Sequence, residues 1–375
     1  MDKSATKPIT IAIAGVGNCA SALIQGIPYY RGQDASTMLG VMRPQIGPWG
    51  CGDIQPVAAF DIDARKVGES LESAIFAAPN CAHVFQADLP ASGVTVQMGP
   101  VLDGVADHMG DHPEERAFRP ADRPAVDVTQ VLQQSGAQVL VCFLPVGSDE
   151  AVRHYAECCL EAGVAMINCV PTFIASDPEW AKRFQQAGLP IIGDDIKSQV
   201  GATIVHRQLA RLFSDRGCTL RRTYQLNTGG NTDFLNMLAQ ERLGSKKISK
   251  TQSVQSQLPT PLPADQIHIG PSDYVPWQKD NKVCFLRMEG EAFGGAPVEL
   301  ELRLSVQDSP NSAGVVIDAI RCAGLALQRS MAGALTAPCA CYMKSPPRQF
   351  SDAEAQQKLE QFIKISAHAN GASTS

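Results

Sequence analysis

No stretch of this 375-residue chain approaches the roughly 18 uncharged apolar residues of a membrane span. The longest apolar-looking segment, 313–335, is broken by Asp318, Arg321 and Arg329. A positive excess is missing as well: 32 Lys and Arg stand against 38 Asp and Glu, a formal net charge of −6. Nucleic-acid backbones need a strongly basic face, so that class of partner is excluded. A small anionic ligand stays open, because it needs only a local cluster of Lys or Arg. Among 12 cysteines there is no CxxC; the closest sets are Cys158-Cys159 and Cys339-Ala340-Cys341. Reduced thiols in small core positions are therefore expected. His108 and His112 have HxxxH spacing, but Gly110 lies between them and Pro113 follows, so no rigid metal-binding pair is expected there. No secretory apolar region is visible: MDKSATKPITIAIAGVG reads as a first strand running into a glycine turn.

What is present is globular. Hydrophobic residues make up 44% and charged residues 19%, and the length suits two domains. Residues 9–16 fit a buried parallel strand, followed by a helix from near Asn18 that turns Ala20, Leu23 and Ile24 inward. Residues 30–54 and 79–125 lack a clear period and read as irregular insertions. A strand at 56–61 lies between them. Alternation then resumes with helix 126–136, strand 137–144, helix 149–162, strand 164–170, helix 177–187 and strand 189–193. This order predicts an α/β fold with a Rossmann-type doubly wound parallel sheet. Beyond Gly201 the pattern becomes α+β: a helix over 201–214, a strand over 219–227, a polar stretch at 244–266 that by itself passes for a linker, and antiparallel strands at 283–288 and 297–306. A long amphipathic helix is expected from near Ser312, a last helix over 351–364, and a frayed tail at 368–375. No internal repeat is visible.

Gly15-Val16-Gly17-Asn18-Cys19-Ala20 is a GxGxxA fingerprint between the first strand and helix. The first glycine permits the turn, the second admits a pyrophosphate to the backbone, and the small Ala20 lets helix and strand pack closely. The helix N-terminus offers unpaired N–H groups to phosphate. Asp61, with Asp63 as competitor, is the acidic residue expected at the ribose, and a carboxylate there favours NAD over NADP. Leu144, Pro145 and Ser148 fit the rim of the cofactor site.

Three polar motifs lie beyond this half. Gly193-Asp194-Asp195-Ile196-Lys197-Ser198-Gln199 packs two carboxylates, a lysine and a serine into one strand-to-helix turn. Ser245-Lys246-Lys247-Ile248-Ser249-Lys250, if helical, places Lys246 and Lys250 on one face, where like charges repel unless an anion sits between them. The third, residues 273–282, alternates carboxylate and ammonium. Crowded lysines also depress one another's pKa, which suits one of them to act as a base.

These motifs, with LNTGGNTDFLN (226–236), DSPNSAGVVIDAIRCA (308–323) and MKSPP (343–347), resemble the inositol-phosphate synthases of the short prokaryotic type. The resemblance runs from about residue 9 to residue 364. It implies a cytosolic homotetramer with bound NAD, no membrane or nucleic-acid partner, and a place in inositol and phospholipid biosynthesis. The implied substrate is D-glucose 6-phosphate and the implied product 1D-myo-inositol 3-phosphate, reached by oxidation, enolisation, intramolecular aldol closure and reduction. Carried over by position, Lys246 and Lys282 serve hydroxyl proton transfer and the enolate, while Lys250 and Lys344 hold charge near C1 and the phosphate. Asp195, Ser198, Asn231, Asp233, Asp280 and Asp308 orient these lysines and the substrate, and Asp195 and Ala202 also border the cofactor. Asp308 and Ser309 are candidates for a divalent cation on the enolate. The implied division is a Rossmann domain over 1–200, a catalytic and tetramerisation domain over 201–307, and a returning segment over 308–375. Lys279 stands where larger relatives have glycine, and Thr232 within Asn231-Thr232-Asp233 replaces an asparagine, which leaves room for another hexose phosphate such as fructose 6-phosphate. A plain NAD-dependent dehydrogenase is the runner-up, distinguished by accumulation of NADH.

Overall fold

A computed structural model describes residues 7–364, and the tail expected to fray at 368–375 lies outside them. In chain order come β1 (Ile9–Ala14), α1 (Asn18–Tyr30), β2 (Gln45–Ile46), β3 (Trp49–Gly50), β4 (Ile54–Asp61), α2 (Leu71–Ala74) and β5 (Val96–Met98). Next are α3 (Val128–Ser135), β6 (Val139–Cys142), α4 (Asp149–Ala162), β7 (Ala165–Asn168), α5 (Pro178–Gln186), β8 (Pro190–Ile192) and α6 (Ala202–Asp215). The chain continues through β9 (Thr219–Gly229), α7 (Thr232–Asn236), α8 (Gly244–Gln255), β10 (Ile267–Tyr274), β11 (Asn281–Glu291) and β12 (Pro297–Gln307). It closes with α9 (Asp308–Gln328), β13 (Gly333–Ala334), α10 (Thr336–Tyr342) and α11 (Asp352–Lys364).

Seven parallel strands form the larger sheet in the order β13-β8-β7-β6-β1-β4-β5. β6 and β7 are buried at every position, as a sheet covered by helices on both faces requires. The strand order reverses between β1 and β6, the place where doubly wound sheets bind ligands at their carboxyl ends. Local chemistry sets the helix ends: Asp127 caps α3 through the Gln130 N–H, Asp177 caps α5 ahead of Pro178, and Gly163 stops α4 in the left-handed region at φ 73°.

The smaller sheet runs β10-β9-β11-β12, with β10 parallel to β9 and the other pairs antiparallel. Its inner face, with Leu220, Cys284, Leu286 and Met288, forms a second core with Ala210 and Phe213 of α6 and Val254 of α8. Its outer face exposes Tyr224, Leu226 and Phe285.

Several sequence expectations need correction. The polar stretch at 244–266 is not a linker; most of it is α8, fixed on α6 and β10. The insertion at 79–125 contributes β5, the edge strand beside β4, and that at 30–54 holds the β2–β3 hairpin under α9. The helix expected from Ser312 begins at Asp308 and is buried all round, not amphipathic. It lies against β1, β6, β7 and β8, and an internal pair, Arg321 to Asp318 at 2.5 Å, keeps its two charges satisfied. β13 and α10 had no readable period, being two and seven residues long. All twelve cysteines are unpaired.

Candidate active site

One cavity, about 1760 Å³ of open space with its mouth included, spans both sheets. Gly15, Gly17, Asn18 and Cys19 line it on one side, and Lys246, Lys250, Lys282 and Lys344 on another.

The glycine turn lies at the carboxyl end of β1. Gly15 has φ +90°, and a Cβ there would fall 2.9 Å from the Phe143 carbonyl oxygen, just past β6. At Gly17 a Cβ would meet nothing within 4 Å, so the space above the turn is open. No side chain caps α1, which leaves its first N–H groups for an anion. Asp61 Oδ2 accepts the Val16 N–H at 2.7 Å and Oδ1 accepts the N–H groups of Ile62 and Asp63, so the carboxylate braces the turn and also lines the cavity. Asp63 is buried on Arg65 instead. These features fit a dinucleotide. Leu144, Pro145 and Ala202 line the cavity, and Ala20 is buried behind it, filling its packing role. Ser148 does not reach the cavity; it lies buried at the start of α4 with its hydroxyl unpartnered. Burial pushes the Cys19 thiol up to about 12, with Asp308, Asp280 and Asp233 adding to the effect, so it stays protonated.

Sequence reasoning missed Lys66. Its buried ammonium donates to the Val16 carbonyl at 2.9 Å and to Asn80 at 3.0 Å, and lies 3.8 Å from Asp61. A single lysine five residues past Asp61 carries no motif. Asn18 proves to be a clasp, accepting the N–H groups of Cys81 and Ala82 and drawing that insertion over the cofactor end.

The lysines arrive from three segments: Lys246 and Lys250 on α8, Lys282 on β11, and Lys344 just after α10. Lys246 pairs with Asp233 at 3.2 Å, Lys282 with Asp308 at 3.3 Å, and Lys344 with Asp195 at 2.7 Å. Asp195 also accepts the Ser249 hydroxyl at 2.7 Å, which docks α8 onto the turn after β8. Burial opposes the Asp195 charge, but Lys344 and Lys246 hold its carboxyl below the usual range. Burial, then Lys246 and Lys282, lower Lys344 despite Asp195. For Lys282 burial works against the ammonium, yet Asp308 and Asp233 raise it above its ordinary value.

Ser198, Asn231, Asp233, Asp308 and Ser309 line the cavity. Asn231 caps α7 and donates to Asp280 at 3.0 Å. Asp280 stands behind the wall, taking the Ser309 hydroxyl at 2.7 Å, and burial pushes its carboxyl up to about 6. The motif at 193–199 divides its labour. Asp194 is a buried cap for the turn at 174–176, accepting three of its N–H groups. Lys197 turns away to the carbonyl of Ala340, and Gln199 donates to Gly40.

Asp308 and Ser309 both line the cavity, and each has a protein partner. Asp308 takes Lys282, Ser309 gives its proton to Asp280, and among the described residues no three His, Cys, Asp or Glu side chains converge as ligands. His108 contacts the Leu235 carbonyl at 2.8 Å instead.

Sheet order and glycine turn define a Rossmann-type fold, and its cavity gathers a cluster of lysines opposite the turn. The profile of the family Myo-inositol-1-phosphate synthase matches residues 201–309. An inositol-3-phosphate synthase of Mycolicibacterium smegmatis is 53% identical over 360 residues, covering 95% of this chain and 98% of that one. Ari2, in a crystal structure, is 36% identical with a TM-score of 0.75, covering 96% of this chain and all of that one. A myo-inositol-1-phosphate synthase-related protein from Thermotoga maritima shares the fold, with a TM-score of 0.78 at 22% identity over 96% of this chain and 99% of that one. The chain belongs to the inositol-3-phosphate synthase family of isomerases.

Proposed function

We propose that the chain holds NAD across the Gly15–Ala20 turn and converts D-glucose 6-phosphate to 1D-myo-inositol 3-phosphate without net redox change. One observation carries this reading: four lysines from three segments share a cavity with Gly15 and Gly17. NAD, when bound, supplies a hydride acceptor that becomes the donor again. The open face at Gly17 and the uncapped start of α1 suit its pyrophosphate, and Asp61 suits a ribose hydroxyl. Lys246 and Lys282, each already oriented by a carboxylate, face the oxygens that take up charge as hydroxyl becomes ketone and ketone becomes enolate. Lys344, fixed by Asp195, meets charge near C1, and Ser198 with nearby backbone N–H groups suits the phosphate. Residues 1–200 and 308–375 act as the cofactor-holding part, with 201–307 bringing three of the lysines.

Assembly as a homotetramer is part of the same proposal, supported by the exposed Tyr224, Leu226 and Phe285 on the outer face of the smaller sheet. A cytosolic location is supported by the twelve unpaired cysteines.

The test is incubation with glucose 6-phosphate and catalytic NAD, followed by phosphorus and carbon NMR. A cyclitol phosphate without accumulating NADH is expected. Accumulating NADH with an open-chain keto product would reject the synthase reading, and turnover of fructose 6-phosphate alone would move the substrate.

A further inference from the structure

Four of the cavity lysines, Lys66, Lys246, Lys282 and Lys344, have a carboxylate of their own, and Lys250 does not. Among the described residues no carboxylate pairs with its ammonium position and no acceptor takes a hydrogen bond from it, although the side chain lines the cavity at 6% exposure. Every element packed around it brings charge that is unfavourable or already spent. Lys246 lies one turn earlier on α8, Lys282 and Cys284 come from β11, and Lys344 from the segment after α10. Asp195 is the nearest carboxylate influence, and its oxygens are committed to Lys344 and Ser249. A buried cation without a partner is costly to keep charged. Burial first, then Lys246, Lys282 and Lys344, press Lys250 well below the ordinary lysine value. The family resemblance implies that Lys250 only holds charge; its surroundings point elsewhere.

We infer that Lys250 enters the cycle as a neutral amine and is the base that takes the substrate hydroxyl proton. The inference rests on the reaction proposed above. In the opening step the carbinol C–H bond yields a hydride with two electrons to the oxidised nicotinamide, and the O–H bond breaks. Its proton goes to Lys250 Nζ, and the carbon, oxidised by two electrons, becomes a ketone. In the closing step hydride returns to that carbon and the Lys250 ammonium gives the proton back to oxygen.

Two measurements test the idea. The first is an Nζ titration by NMR of the ¹⁵N-lysine-labelled protein, without substrate. The signal missing from Lys250→Met should titrate below that of the buried Lys197, which burial lowers to about 8; a missing signal that titrates in the ordinary lysine range overturns the inference. The second is steady-state kinetics. Lys250→Arg, which cannot become neutral, should lose roughly 10²–10⁴-fold in kcat with KM for glucose 6-phosphate near that of the parent protein. A pure charge holder would tolerate guanidinium, so near-normal kcat in this variant also overturns the inference. Lys250→Met, which keeps an unbranched side chain of similar length at this buried position and should fold well, is expected to be rescued by ethylamine in proportion to its unprotonated fraction. Absence of rescue counts against the base role. If the parent protein forms no cyclitol phosphate, the reaction itself falls and the base role with it, whatever the titration shows.

Discussion

Lys344 and Asp195 are joined twice: their side chains meet at 2.7 Å, and the Lys344 N–H donates to the Asp195 carbonyl, also at 2.7 Å. Ile196 and Met343, one step inward on each segment, complete a short antiparallel bridge. Two residues 149 positions apart are thus clamped before substrate arrives.

Replacement of Asp195 by Asn keeps a residue that tolerates the φ of 62° found there, while removing the charge. Breaking a buried pair of this kind should cost about 3 kcal/mol at neutral pH, measured by urea unfolding, and lower kcat about 100-fold. The folded-state pKa of Asp195 is depressed, so its contribution is present above the ordinary carboxylate value and is lost as pH falls through the depressed one. The difference between parent and variant should therefore shrink only in strong acid. A difference that is independent of pH would mean that charge is not the cause.

The two fingerprint glycines should respond differently to alanine. At Gly15 the added carbon collides with the Phe143 carbonyl in a left-handed conformation, so Gly15→Ala should unfold at a clearly lower temperature. At Gly17 it enters open space, so Gly17→Ala should keep its melting temperature and bind NAD at least about tenfold more weakly. Calorimetric titration with NAD beside a thermal melt distinguishes the two.

Lys282→Ala should leave NAD affinity unchanged and reduce turnover about 100-fold or more, because it removes an ammonium from the oxyanion side of the cavity and nothing from the glycine turn. Turnover close to the parent value would remove Lys282 from the mechanism.

His206 offers a prediction about stability alone. It is buried on α6 between Gln225 and Thr223, and burial lowers its pKa to about 4 from 6.5. Between pH 6.5 and pH 4 the unfolded chain binds a proton that the folded one refuses, so stability should fall by about 3 kcal/mol as pH drops through that window. His206→Gln should be less stable at pH 7 but show a flatter dependence. An equally steep fall in the variant would assign the effect to other groups.

The parallel sheet and the lysine motifs were legible because each is written in contiguous residues: an apolar run for β1 or β6, an i, i+4 spacing for Lys246 and Lys250. Other features depend on distant partners. α8 has the composition of a linker, and only its docking on α6 and on Asp195 through Ser249 makes it a fixed helix. The adjacent Asp194 and Asp195 read alike in sequence, yet one is consumed by the turn at 174–176 and the other reaches Lys344. That Lys250, among the described lysines lining the cavity, has no carboxylate of its own follows from where four aspartates fall. No local pattern records it.

Asp308 is the first residue of α9, the helix buried beneath the parallel sheet, while Lys282 belongs to the smaller sheet. The counter-ion of one layer is therefore rooted in the other. Anyone who transplanted the four-stranded layer onto a foreign scaffold would carry the ammonium and leave its carboxylate behind, so a graft meant to transfer the chemistry must take the beginning of that helix with it.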